Sequence, residues 1–177
     1  LIDKSVSAII AFVAFSLSAS AIYIFNDFRD IKDDKIHPVK KLRPLASGLV
    51  NKNFALFLMM ILLCSSISLM LTVSIKSSIV LIIYIILNLA YSLGLKRISI
   101  IDITIISIGF VLRLFVGSFA YNVDLKVWIV ILTFLLALFV ALGKRRDDVL
   151  ILEKTKKKMR KSVDGYSLKL IDSCMLV

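Results

Sequence analysis

Apolar residues fall into five long runs along this chain, near residues 5–25, 53–73, 77–95, 99–121 and 125–143. Each run has about 20 residues, and a helix of that length, rising about 1.5 Å per residue, crosses about 30 Å of hydrocarbon. A sixth run begins at 164–177, but it contains Lys169 and Asp172 and is incomplete. The pattern predicts an all-α, polytopic bundle of transmembrane helices.

The polar segments between these runs alternate in charge. Residues 26–52, 96–97 and 144–162 carry seven, two and nine Lys or Arg residues, together 18 of the chain's 23. The opposite segments carry only Lys76 and Lys126. Because Lys and Arg in short loops mark the cytoplasmic side, we expect the three charged segments to face the cytoplasm from the inner (plasma) membrane.

Composition supports a membrane protein over a soluble one. The chain of 177 residues is 59% hydrophobic with a mean hydropathy of +0.95, and its net charge of +11 is explained by membrane sidedness rather than by nucleic acid. Its two cysteines, Cys64 and Cys174, have no neighbours at metal-ligand spacing. We expect a single transmembrane domain over 1–177, and a fragment of a longer reading frame, since the chain starts at Leu1 and stops inside an apolar run.

Four carboxylates follow the first apolar run, within the stretch Asn26-Asp27-Phe28-Arg29-Asp30-Ile31-Lys32-Asp33-Asp34. On a helix, Asp27, Asp30 and Asp34 share one face. Carboxylates at a membrane edge need neutralisation, and Mg²⁺ prefers a few carboxylates together with substrate phosphate oxygens. A solvated acidic turn is the alternative.

A basic segment with two prolines comes next and is predicted to be a loop. Its cations Lys40, Lys41 and Arg43 can contact anionic lipid head groups or hold a phosphate beside the carboxylates. His37 is the chain's one histidine, and it either contacts substrate or has a structural role.

Arg113 lies near the middle of the fourth apolar run, where an arginine is stable only in a cavity or beside an anion. It is predicted to bind a phosphate, or else to pair with Asp102 or with an aspartate of the first cluster. The later polar segment opens with Lys144-Arg145-Arg146-Asp147-Asp148, which is a candidate second half of an active site.

These stretches resemble the UbiA superfamily of intramembrane prenyltransferases. Its first aspartate-rich motif is matched by Asn26-Asp27-x-x-Asp30-x-x-x-Asp34. The extension looks more closely like the family's decaprenyl-phosphate phosphoribosyltransferase branch, through His37-Pro38-x-Lys40-x-x-Arg43-Pro44-x-Ala46-x-Gly48. Residues 91–96, Asp102 with 109–113, and 143–146 resemble the same branch.

The resemblance implies a bundle of about nine helices, five or six of them in this chain. It implies Mg²⁺-dependent transfer of 5-phosphoribose from phosphoribosyl pyrophosphate to a polyprenyl phosphate, as in the making of a cell-wall sugar donor. Asp27, Asp30 and Asp34 would hold Mg²⁺, with Asn26 orienting them. Substrate-binding residues would be Lys40, Arg43, Tyr91, Lys96, Arg113, Lys144, Arg145 and Asp148.

The second family motif, Asp-x-x-x-Asp, is not matched here. Asp147 and Asp148 are adjacent, with no aspartate at four-residue spacing, and we assign the functional carboxylate to Asp148. This departure favours the phosphoribosyl branch over transfer of a prenyl group to an aromatic acceptor. A non-enzymatic transporter or scaffold is a further alternative. The sequence leaves the lipid's length and self-association into a homo-oligomer open.

Overall fold

The computed structural model describes residues 2–36, 39–155 and 165–176, and its regular elements over these ranges are all helical. Five of them are long and apolar enough to cross a membrane, which confirms the predicted fold class. The helices are α1 (Ile2–Ile36), α2 (Pro44–Ser47), α3 (Lys52–Val73), α4 (Ile75–Leu93), α5 (Ile101–Tyr121), α6 (Val127–Thr155) and α7 (Leu168–Leu176). Short 3₁₀ turns cover Lys40–Leu42 and Leu95–Arg97. His37 lies outside the described residues.

Helix α1 lies at the centre of the bundle and packs against α3, α4 and α5. Small residues such as Ala11 and Ala14, which are 2% and 0% exposed, let neighbouring helices approach closely. The hydroxyl of Ser66 donates to the carbonyl oxygen of Ala14 across 2.6 Å and ties α3 to α1. Large apolar side chains such as Trp128 point outward, as expected where lipid is the solvent.

Two helices continue past the predicted membrane edge. The charged residues 26–36 were predicted as part of a polar loop, but α1 runs on to Ile36, and α6 runs beyond residue 143 to Thr155. Hydropathy marks where the bilayer ends, and a helix needs only its own backbone hydrogen bonds to continue into water. With 35 residues, α1 is about 52 Å long, so its last turns stand outside the hydrocarbon.

The proline-containing segment turns the chain back against the end of α1. The segment was predicted to be a loop, but its described residues form a 3₁₀ turn and the single-turn helix α2, which has Pro44 at its start and is capped by Gly48. Gly48 has a φ of 82°, a left-handed conformation that favours glycine. The turn brings Arg43 beside the acidic face of α1.

Candidate active site

One nitrogen of Arg43 bridges two of the predicted metal-binding carboxylates. Its Nη1 atom donates to Oδ1 of Asp27 across 2.8 Å and to Oδ2 of Asp34 across 2.9 Å. The two aspartates are two helical turns apart, so their shared partner confirms that they lie on one face of α1. The side chain of Asp34 is only 4% exposed. Arg43 therefore supplies the positive charge that offsets the carboxylate's lost hydration.

Lys96 holds the neighbouring polar positions of the same helix. Its Nζ atom lies 2.5 and 2.7 Å from the two carboxylate oxygens of Asp30 and 3.1 Å from Oδ1 of Asn26. The hydroxyl of Ser92 also donates to Asn26, across 3.3 Å. The turn after α4 therefore closes over the acidic end of α1, and we call these residues, with Asp27, Asp34 and Arg43, the acidic cluster.

The arrangement fits a cation site made by two carboxylates. Asp27 and Asp34 already converge on a single positively charged atom of Arg43, and Mg²⁺ usually takes one or two carboxylates plus phosphate oxygens. Within the described ranges, no three His, Cys, Asp or Glu side chains converge closely enough to hold a metal ion by themselves. The assignment of Asp27, Asp30 and Asp34 to Mg²⁺ therefore stays a prediction.

Two further predicted binding residues lie beside this cluster. Lys40 is half-buried in the 3₁₀ turn that precedes Arg43, and its charge acts on the Asp27 carboxyl. Tyr91 is half-buried on α4, next to Ser92 and one turn before Lys96. The structure thus brings Lys40, Arg43, Tyr91 and Lys96 to the same end of the bundle as the carboxylates.

A second polar cluster joins α5, α6 and the segment before α7. Arg145 is 2% exposed, with its Nε atom 2.8 Å from Oδ2 of Asp102 and its Nη1 atom 2.6 Å from Oδ2 of Asp148. The pair with Asp102 is close without being aligned as a hydrogen bond. Burial between two carboxylates supports a structural role for Arg145 rather than the substrate contact predicted from the sequence.

Tyr166 completes this cluster, and the sequence alone did not reveal it. Its hydroxyl donates to Oδ1 of Asp102 across 2.6 Å and accepts from the backbone N–H of Ile100 across 2.7 Å. Burial raises the pKa of the Tyr166 phenol, and the bond to Asp102 raises it further, so the hydroxyl stays protonated and able to donate. An uncharged side chain in a polar segment gives no signal of such a contact.

The remaining residues of the later polar segment lie on the surface of α6. Lys144 and Asp147 are exposed, and Arg146 pairs with Asp172 of α7 across 2.7 Å. Asp148 is half-buried beside Arg145. The structure therefore separates Lys144, which is accessible, from Arg145, which is not.

Arg113 faces an apolar cavity of about 330 Å³ between α1 and α5, which is lined by residues such as Ala11 and Phe12. Its guanidinium carbon lies 5.1 and 5.0 Å from the ring centroids of Phe15 and Phe110, at cation–π distance. No carboxylate in the described part of the chain pairs with it. The alternative of an ion pair with Asp102 or with the first acidic cluster is therefore wrong.

Arg113 is also far from the acidic cluster along the axis of α1. It is level with Phe15, which precedes Asn26 by 11 residues on α1, or about 16 Å along the helix axis. One phosphate group cannot contact Arg113 and Lys96 together in this structure.

Family comparison agrees with this geometry. The model of the UbiA prenyltransferase family matches residues 3–150, from the start of α1 to the charged part of α6. The chain belongs to the UbiA family. The match covers both polar clusters apart from Tyr166, and with the five apolar helices it makes the chain a multi-pass membrane protein.

Curated relatives in the UbiA family support the branch that the sequence indicated. The chain is 37% identical over 165 residues to the decaprenyl-phosphate phosphoribosyltransferase of Mycolicibacterium smegmatis, covering 93% of this chain and 52% of that protein. It is 38% identical over 160 residues to the enzyme of that name from Corynebacterium glutamicum, covering 89% and 48%. The chain thus spans about half the length of the curated relatives that it matches.

Solved structures show the UbiA fold. A UbiA homologue from Archaeoglobus fulgidus bound to DMAPP and Mg²⁺ superimposes with a TM-score of 0.82 at 16% identity, covering 96% of this chain and 61% of that one. A digeranylgeranylglyceryl phosphate synthase gives a TM-score of 0.66 at 24% identity, covering 97% and 66%.

Proposed function

We propose that this chain is part of a membrane transferase that moves 5-phosphoribose from phosphoribosyl pyrophosphate to a polyprenyl phosphate. The observation that carries the proposal is the acidic cluster, where three carboxylates and two cations converge at one end of the bundle. Relatives at 37% and 38% identity that bear the name of this activity support the choice of donor and acceptor.

The donor's pyrophosphate is the group that this cluster suits. Asp27 and Asp34 would hold Mg²⁺ with it, Asp30 would complete the acidic face, and Asn26 would orient the set. A Mg²⁺ ion held there would supply positive charge to stabilise a pyrophosphate leaving group. Arg43 and Lys40 bind the donor phosphates, because a guanidinium and an ammonium pair with phosphate at least as well as with carboxylate.

The transfer then needs no protein base. An ionised oxygen of the acceptor phosphate attacks C1 of the ribose, the bond from C1 to the pyrophosphate oxygen breaks, and pyrophosphate leaves with both bonding electrons. Lys96 moves from Asp30 onto the leaving group, and Tyr91 lines the path to it. Charge stabilisation and positioning supply the rate enhancement.

The acceptor approaches from the bilayer. Arg113 would bind the acceptor in the apolar cavity between α1 and α5. Lys144 and Asp148 would contribute to substrate binding from α6. The charged end of the bundle faces the cytoplasm of a plasma membrane, where the water-soluble donor is present.

Transfer of label from two differently labelled donors tests the proposal. Membranes that contain the protein receive a polyprenyl phosphate and phosphoribosyl pyrophosphate labelled with ³²P either on the 5-phosphate or on the pyrophosphate. We expect label in the lipid extract from the first donor only. Unlabelled lipid from both donors, together with prenylated product from a prenyl diphosphate and 4-hydroxybenzoate, would replace this function with aromatic prenyl transfer.

A further inference from the structure

The segment of Gly165 and Tyr166 packs directly on the turn that leads into α5. A Cβ atom added to Gly165 would lie 2.7 Å from Cβ of Ser99, closer than real side chains approach, so only glycine fits there. The next residue, Tyr166, is 7% exposed, and its hydroxyl bonds to both Ile100 and Asp102. Two adjacent residues thus contact three of the four residues 99–102.

The turn before α5 is strained at Ile100, the residue whose N–H is bonded to the Tyr166 hydroxyl. Ile100 has a φ of 70° and a ψ of −48°, outside the regions that a β-branched residue normally occupies. Its N–H is the donor to the Tyr166 hydroxyl. A strained residue persists only where its surroundings fix it, and Tyr166 supplies that contact.

The other end of the same turn carries Lys96. Three backbone hydrogen bonds link its two ends, from the N–H of Arg97 to the carbonyl of Gly94, from Ile98 to Leu95, and from Asp102 to Ile98, at 3.0, 3.1 and 3.1 Å. The conformation of Ile100 is therefore coupled to the position of Lys96, whose ammonium group lies on Asp30 and Asn26.

We infer that Tyr166 is a positioning residue, which sets Lys96 against Asp30 through residues 94–102 without touching substrate. The segment before α7 thereby controls one of the two cations of the acidic cluster. The kinetic consequence rests on the proposed function, whereas the structural consequence does not.

Hydrogen–deuterium exchange tests the structural consequence. In Tyr166→Phe, amides of residues 94–102 should exchange about 10-fold faster while those of α3 are unchanged, because the ring remains and only the hydroxyl is lost. Tyr121→Phe, at the far end of α5, should leave both regions as in the wild type. Unchanged exchange over 94–102 in Tyr166→Phe would overturn the inference.

A second pair of variants tests the same contact from the backbone. Gly165→Ala should speed exchange over residues 94–102, but it should add nothing to Ser99→Gly, which removes the atoms that the new methyl group would meet. An equal effect of Gly165→Ala in both backgrounds would contradict the packing argument.

Transfer kinetics test the coupling to Lys96. Tyr166→Phe should lower kcat at saturating donor about 10-fold and leave KM for the lipid unchanged. In a Lys96→Gln background it should have no further effect, since the residue through which it acts is gone. Full additivity would overturn the inference. If the wild type transfers no phosphoribose, the proposed function fails, and the exchange results still decide the role of Tyr166.

Discussion

Arg43 donates through Nη1 to Oδ2 of Asp34 across 2.9 Å, although the chain reverses direction between the two residues. The same nitrogen reaches Asp27, so it occupies the point on which two carboxylate oxygens converge. In the proposed function, a divalent cation that enters with the donor would use those oxygens. Arg43 and the cation would then compete for them, and the donor phosphates would give Arg43 an alternative partner.

Replacing Arg43 should have opposite effects on two ligands. Without donor, Arg43→Gln should bind Mn²⁺ about threefold more tightly, because a partly exposed competing cation is gone. It should also raise KM for the donor about 10-fold, because a charged hydrogen bond to phosphate is lost. Electron paramagnetic resonance of free Mn²⁺ and initial rates measure the two effects. Lys41→Gln, an exposed neighbour, is the charge-matched control, and weaker Mn²⁺ binding in Arg43→Gln would refute the competition.

Two adjacent aspartates of α1 differ in burial, and replacing each of them distinguishes a binding site from a charged surface. Asp34 is 3% exposed and bonded to Arg43, whereas Asp33 is exposed. Asp34→Asn should reduce kcat/KM about 100-fold, and Asp33→Asn should leave it within twofold. Turnover assays on equal amounts of inserted protein check this. If the protein is a non-catalytic scaffold, neither substitution will change the measured turnover.

Lys96 and Arg97 provide a similar matched pair at the turn after α4. Lys96 bonds to Asp30 and Asn26, while Arg97 is exposed. Lys96→Gln should lower kcat about 10–100-fold, because a cation that meets the leaving group is lost. Arg97→Gln should alter kcat less than twofold. Single-turnover rates at saturating donor measure the difference, and equal losses would show that only net charge matters.

Replacing Arg113 should weaken binding of the lipid acceptor and leave binding of the donor unchanged. Its guanidinium packs on Phe15 and Phe110, about 16 Å along α1 from Asn26. Arg113→Met should therefore raise KM for the polyprenyl phosphate about 10-fold and leave KM for phosphoribosyl pyrophosphate unchanged. Rates at varied concentrations of each substrate test this. A change in donor KM alone would place Arg113 with the acidic cluster instead.

The sequence predicts the membrane-spanning parts well, because each apolar run must be long enough for the bilayer. It also predicts the shared face of Asp27 and Asp34, since helical spacing is a local property. It does not reveal how far α1 and α6 continue as helices, because polar helices and polar loops have similar hydropathy.

Long-range partners are the main part that local reasoning misses. Arg145 looks like a phosphate ligand in sequence, yet it pairs with Asp102, which lies on another helix. Tyr166 carries no charge and belongs to no motif, so only the packing of its segment on Ile100 identifies it. Both cases depend on contacts between residues more than 40 positions apart.

Because α1 is one uninterrupted helix, the directions in which its side chains point are fixed relative to one another along the site. The apolar cavity lined by Phe15 and the carboxylates beyond Asn26 are on one rigid helix, so their relative rotation is fixed. One alanine inserted between them would leave hydropathy unchanged but turn everything beyond it by about 100°. Asp34 would then face away from Arg43. Evolution of this chain can exchange the residues of α1 far more easily than it can change their number.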